Sequence, residues 1–311
     1  MADENCKLAM RELFNSPALH LDRLRFAWGV QAVVAHLPYI PKVRSLSLFT
    51  TSLSENLHLV NPHLTVLHLH SSGDPMDPRP FRDMLACVAS SLIYLSLEDS
   101  SVALSTEERK FDCVNMPTLH SLMLGNYSDV LLVEYFLSSF STPNLRMLGL
   151  LQMSWEVLSK TIEVLHKLSP PDGFVYPALE TLVIEAVDPV DPERTMLLLE
   201  CLPSIRELDI GGGAADVFLD YLVDRDLDEG NPAGVLCPRL LTLRWCEWSA
   251  YDGALVRRFL ERRAAMGKPL AKLSSDRETF LELEEDTQAW LRGHVEVYFR
   301  ESSFREEAQS F

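Results

Sequence analysis

Basic residues are scarce in this chain. It carries 28 Lys and Arg against 45 Asp and Glu, a formal net charge of −17. That balance excludes a general nucleic-acid binder, whose affinity comes largely from Lys and Arg neutralising phosphates, and equally an anionic membrane surface. No apolar run approaches the roughly 18 residues that cross a bilayer. The first residues, Met-Ala-Asp-Glu-Asn-Cys-Lys, hold acids where a secretory leader would hold an apolar segment. The six cysteines (6, 87, 113, 201, 237 and 246) are scattered and include no C-x-x-C pair, so neither a disulfide scaffold nor a zinc module is indicated. Cys87 and Cys201 fall in apolar helical stretches and are expected to be buried thiols. Together these absences predict a reduced, cytoplasmic or nuclear protein that does not enter a membrane. The signatures G-x-S-x-G, H-E-x-x-H, Gly-Lys-Ser/Thr and the kinase set are also missing.

What is present is an internal repeat. The pattern Φ-x-x-Φ-x-Φ, with Φ an apolar residue, occurs nine times, opening at Leu21, Val43, Leu64, Leu92, Leu119, Leu145, Leu179, Ile205 and Leu240. In seven copies a proline stands two residues before the first Φ: Pro41, Pro62, Pro117, Pro143, Pro177, Pro203 and Pro238. The closing Φ-x-Φ has the period of two that marks a strand with one buried face. A proline just ahead of it removes no ladder hydrogen bond. Helical patterns fill the intervals: Arg79–Ala89, Asp129–Phe140, Ser154–Leu168, a segment capped by Asp191-Pro192-Glu193, Ala214–Asp226 and Asp252–Ala265. Ser105-Thr106-Glu107-Glu108 fits a capping box.

A strand and a helix repeated at a period near 27 specify an α/β leucine-rich-repeat solenoid, a horseshoe with a parallel concave sheet and convex helices. About nine repeats would occupy 17–269, after an N-terminal arm at 1–16 and before a C-terminal cap and acidic tail at 270–311. In the cap, Trp290, Leu291, Val295 and Val297 are expected to face inward. The asparagine ladder of extracellular leucine-rich repeats is absent, because the corresponding positions are Thr51, Ser72, Ser100, Tyr127, Met153, Val187 and Gly213.

Two C-terminal segments, Phe259-Leu-Glu-Arg-Arg-Ala-Ala-Met-Gly-Lys-Pro-Leu270 and Trp290-Leu-Arg-Gly-His-Val-Glu-Val-Tyr298, give the chain a family likeness. With the irregular array, it resembles the C-terminal part of F-box/leucine-rich-repeat proteins of mushroom-forming fungi. That resemblance implies the substrate-recognition part of a cullin-type ubiquitin-ligase adaptor. Repeat one opens at Leu21, so no recognisable F-box precedes it.

The residues between the Φ positions should line the concave face. They include an apolar patch, Met123, Met147, Leu151 and Val183, flanked by Glu185, Glu207 and Asp209. An exposed apolar patch rimmed by acids suits a protein or peptide partner with a basic stretch and a hydrophobic anchor. The expectation is a non-enzymatic interaction module, monomeric and without a cofactor. The alternatives are a metal-dependent enzyme centred on His68, His70 and Glu98, two imidazoles and a carboxylate on adjacent strands, or a purely structural scaffold.

Overall fold

The computed structural model describes residues 22–27, 43–50, 62–71, 77–98, 113–125, 130–169, 176–186, 192–212, 218–220, 222–223, 237–246 and 253–299. The arm at 1–16 and the capping box at Ser105–Glu108 lie outside them. The chain divides into two compact units, Met1–Leu145 and Arg146–Phe311.

The first unit contains five parallel strands: β1 (Arg23–Ala27), β2 (Ser45–Thr50), β3 (Val66–Ser71), β4 (Tyr94–Glu98) and, after a short β5 (Val114–Asn115), β6 (Ser121–Gly125). β5 pairs in parallel with β7 (Phe140–Ser141) in a separate small ladder. The second unit contains six: β8 (Met147–Met153), β9 (Thr181–Ala186), β10 (Glu207–Gly212), β11 (Thr242–Cys246), β12 (Lys272–Ser275) and β13 (Glu296–Phe299), each paired in parallel with the next. All nine copies of the pattern therefore carry a strand. β12 and β13 extend the ladder into the stretch expected to be a cap, where the full pattern is absent.

Register aligns equivalent residues. Leu24, Leu46, Leu67, Leu95 and Leu122 stand side by side in the first unit, and Leu148, Leu182, Leu208, Leu243 and Leu273 in the second. From Leu46 onward every one of these leucines is buried. Each contributes about 1.5–3 kcal/mol by leaving water.

The turn into each strand is also repeated. One carbonyl accepts two N–H groups from the next repeat: Arg44 O from Thr65 and Val66, Thr65 O from Ile93 and Tyr94, Ile93 O from His120 and Ser121. Arg146, Glu180, Arg206 and Leu241 do the same in the second unit. A side-chain ladder runs beside it. Ser91 Oγ donates to Leu64 O (2.8 Å), Thr118 Oγ1 to Leu92 O (2.9 Å), Asn144 Nδ2 to Pro117 O (2.8 Å) and Ser204 Oγ to Leu179 O (2.7 Å). In each case the donor is the residue immediately before the first Φ. These bonds serve the purpose of the missing asparagine ladder, pairing backbone groups that a tight stack of turns would otherwise strand.

The helices are α1 (Pro78–Val88), α2 (Val130–Ser139), α3 (Trp155–Leu168), α4 (Pro192–Cys201), α5 (Gly253–Ala265), α6 (Arg277–Glu282) and α7 (Glu285–His294). The first five match the sequence expectation to within one or two residues. Residues 218–220 and 222–223 are helical too. Ser154 caps α3 as an N-cap serine should, accepting from Val157 N. α3 packs beside α4, and Glu163 of α3 accepts from both Lys160 (2.6 Å) and Arg194 of α4 (3.0 Å). Cys201 is buried as expected, whereas Cys87 is exposed, because it falls on the outward side of α1. Among the described residues no helix is long and apolar enough to cross a membrane.

The segment Phe259–Leu270 has a structural explanation. Gly267, two residues past the end of α5, stops the helix with a φ of 69°, the left-handed value that glycine adopts without strain. Gly267 N donates to Ala264 O and Lys268 N to Arg263 O, the paired bonds that close a helix C-terminus. Arg263, only 1% exposed, donates to Lys268 O (3.2 Å), Cys237 O (3.1 Å) and Leu240 O (3.4 Å). One guanidinium thus fastens the end of α5 to the turn that launches β11. In the second segment Leu291 and Val295 are buried as expected. Trp290 and Val297 are only half-buried. Trp290 lies between the Arg257 guanidinium (4.9 Å) and the His294 ring (4.1 Å), so its faces are covered by charged and polar groups rather than by the core.

Candidate functional site

Alternation along each strand puts the leucines on the core face and the intervening residues on the opposite, open face. In the first unit, register builds two informative rows there. One holds Arg25, Ser47, His68, Ser96 and Met123; the other holds Phe49, His70, Glu98 and Gly125. The Arg25 guanidinium lies over the Phe49 ring at 4.7 Å, and Phe49 packs against His70 at 5.5 Å. His70 Nδ1 is 3.4 Å from Glu98 Oε2, and Ser96 Oγ donates to Glu98 Oε1 at 3.4 Å.

His68 turns to the Tyr94 ring instead, at 4.8 Å. Burial pushes its pKa down to about 4; the Glu98 carboxylate acts in the opposite direction and Arg25 in the same one. The imidazole is therefore neutral at pH 7. The expected His68, His70 and Glu98 constellation is only partly assembled: His70 and Glu98 meet, and His68 is an aromatic neighbour. Among the described residues no group of three His, Cys, Asp or Glu side chains could hold a metal ion.

The second unit collects the acids. Its open-face rows are Met147, Thr181, Glu207, Thr242, Lys272 and Glu296; Gly149, Val183, Asp209, Arg244, Ser274 and Tyr298; and Leu151, Glu185, Gly211 and Cys246. β9 to β11 thus present three carboxylates, Glu185, Glu207 and Asp209, and one guanidinium, Arg244. Arg244 Nε pairs with Glu207 Oε1 across the strands. Their side chains remain 19% and 23% exposed, while the paired Nε and Oε1 atoms themselves are buried. Glu185 is half-exposed, while Asp209 is 3% exposed.

The apolar patch takes a different form from the expected one. Met123, Leu151 and Val183 are buried. Met147 alone of the four is half-exposed. Met123 belongs to the first unit and Met147, Leu151 and Val183 to the second. The correction has a physical basis. Strands of a parallel sheet are commonly covered on both faces, and an open-face residue is shielded by its neighbours 4.8 Å away on each side (a typical interstrand spacing of about that size). Sequence alternation assigns the face and leaves the exposure undetermined.

Sequence reasoning overlooked Arg244 as the counter-charge to the acids and Phe49 as the platform under Arg25. Both stand at register positions next to residues that were singled out, so aligning the nine copies column by column would have found them. No protein-family model matches the chain, and no curated protein matches it.

Proposed function

We propose that the chain is a non-enzymatic protein-recognition module, a leucine-rich-repeat array of the kind used for substrate recognition by F-box/leucine-rich-repeat ubiquitin-ligase adaptors. It takes a basic segment of a partner protein against Glu185 and Glu207 of the second unit. The observation that supports this most is the survival of half-exposed carboxylates, Glu185 and Glu207, on an open face where Leu151 and Val183 are buried and Met147 is half-exposed. The face presents charge and little grease.

In this reading Glu185 and Glu207 meet the partner, and Asp209 acts from beneath through its field. Met147 supplies the remaining apolar contact at the rim. Met123, Leu151 and Val183 support the strands without touching the partner. Attraction between exposed charges steers encounter and weakens with salt, because the screening length falls from about 30 Å at 0.01 M to about 8 Å at physiological ionic strength. The protein works as a monomer in the cytoplasm or nucleus and needs no cofactor. The adaptor role adds that the bound partner is presented for ubiquitin transfer.

Binding of a fluorescein-labelled Lys- and Arg-rich peptide, followed by stopped-flow anisotropy across a salt series, tests the reading. The doubly substituted Glu185→Lys, Glu207→Lys protein should associate about tenfold more slowly and lose most of the salt dependence. Met147→Asp should act chiefly by speeding dissociation. Identical kinetics for all three proteins would place recognition elsewhere.

A further inference from the structure

One hydroxyl on the open face of the second unit is buried and unused. Ser274 of β12 is fully buried, and among the described residues nothing hydrogen-bonds its Oγ. A buried polar atom in that state is costly, and in a folded protein it calls for a reason. Its neighbours supply one. Ser274 stands between Arg244 and Tyr298 in its row. Adjacent strands are about 4.8 Å apart, so a guanidinium on β11 reaches a hydroxyl on β12 by a change of side-chain rotamer alone.

Arg244 is turned the other way. Its Nε meets Glu207 Oε1, one strand over and two residues back along β10, and both atoms are buried. The pair occupies one oxygen of a carboxylate that the recognition face presents. Glu185 differs: it is half-exposed, and no ion pair engages it among the described residues.

We propose, on the reading that Glu207 receives a basic segment, that Arg244 is a built-in competitor for Glu207 and that a cationic side chain of the partner displaces it onto Ser274. The two cations compete because each makes the same charge-assisted bond to the same carboxylate. A displaced guanidinium with no new acceptor would make the exchange unfavourable. The Ser274 hydroxyl provides that acceptor, with both lone pairs available. Asp209, the other neighbour of Arg244 in the row, keeps a negative charge beside the cation in either position. Arg244 thus has two resting places, Glu207 in the free chain and Ser274 in the complex. Apparent affinity for a basic partner is lowered by the fraction of chains in which Arg244 holds Glu207.

The test uses the full chain and the fluorescein-labelled Lys- and Arg-rich peptide, read by anisotropy, together with urea midpoints of the free proteins. Arg244→Gln should tighten binding about fivefold. Loss of a positive charge would act in that direction by itself, so the deciding variant is Ser274→Ala. It should weaken binding about fivefold, the size of one hydrogen bond, and leave the midpoint of the free protein unchanged or raised, because no bond is lost there. In the Arg244→Gln background Ser274→Ala should not alter binding. In the free Glu207→Ala protein Arg244 has lost its acceptor and turns to Ser274, so there Ser274→Ala should lower the midpoint by about 0.3 M. Unchanged binding by Ser274→Ala in the otherwise native chain, the same weakening with Arg244 absent, or no midpoint shift in the Glu207→Ala background would overturn the proposal. Failure of the recognition reading looks different: the peptide would bind the Glu185→Lys, Glu207→Lys protein as well as the parent, and the displacement would fall with it.

Discussion

Arg25 and Asp209 occupy the same position of the repeat, the residue between the second and third Φ, yet one is exposed and the other 3% exposed. Arg23 and Glu207 are equivalent in the same way, so β1 presents two cations where β10 carries two anions. Their neighbours explain the difference in burial. Arg25 has Ser47 beside it, a small side chain, whereas Asp209 lies between Val183 and Arg244. The repeat therefore fixes which way a residue points, and the residues one strand away decide whether water reaches it. Charge can be displayed at one copy of a position and sunk at another.

The sharpest way to break this comparison is to place the same charge at the same repeat position in both settings. Val183→Glu puts a second carboxylate into a buried row beside Asp209. It should destabilise the protein by on the order of 3 kcal/mol or more. Ser47→Glu, at the equivalent position next to Arg25, should stay within about 0.5 kcal/mol of the parent. Thermal melts followed by circular dichroism report both. Similar melting temperatures for the two variants would show that neighbours do not govern exposure as described.

A second test concerns a charge buried by design. Arg263→Ala would leave the carbonyls of Cys237, Leu240 and Lys268 without their shared donor. The expected loss is about 3–5 kcal/mol, visible as a lower midpoint in urea. Arg262→Ala, one residue away on a more exposed side chain, should cost far less. Equal effects would mean that the buried guanidinium is not the clasp.

The smallest of these effects is set by pH. His68 is held at about 4 against an ordinary value of 6.5. The unfolded chain therefore binds more protons than the folded one between those values. Stability is full above about pH 6.5 and falls as pH drops through the window, by at most about 3 kcal/mol. His68→Gln should flatten that slope between pH 6.5 and 4, as measured by urea midpoints at each pH. An unchanged slope would assign the acid sensitivity to other groups.

Much of the fold was legible in the sequence because its signal is repeated. Nine copies of a leucine pattern, seven with proline in register, leave little freedom, and Leu46, Leu67, Leu148, Leu182 and Leu208 all lie where the pattern puts them. Helix starts at Trp155 and Pro192 were readable from Ser154 and from the proline itself. β12 and β13 were not, since Leu273 and Val297 arrive without the full motif. The cross-repeat donors Ser91, Thr118, Asn144 and Ser204 share a column but are two serines, a threonine and an asparagine, so a search for a single repeated asparagine passes over them. The candidate site was legible only in part. Glu185 and Glu207 are half-exposed as expected, but the exposure of Met123, Leu151 and Val183 depends on contacts between strands far apart in sequence, which a local pattern does not encode.

The central functional claim is that Glu185 and Glu207 contact a basic partner segment. Carboxyl footprinting measures this directly: the chain is labelled at its accessible acids with and without a saturating Lys- and Arg-rich peptide, and modification is quantified residue by residue. Labelling of Glu185 and Glu207 should fall on binding while that of Glu284, Glu285 and Asp286, exposed at the start of α7, stays constant. Full labelling of Glu185 and Glu207 in the bound state would contradict it.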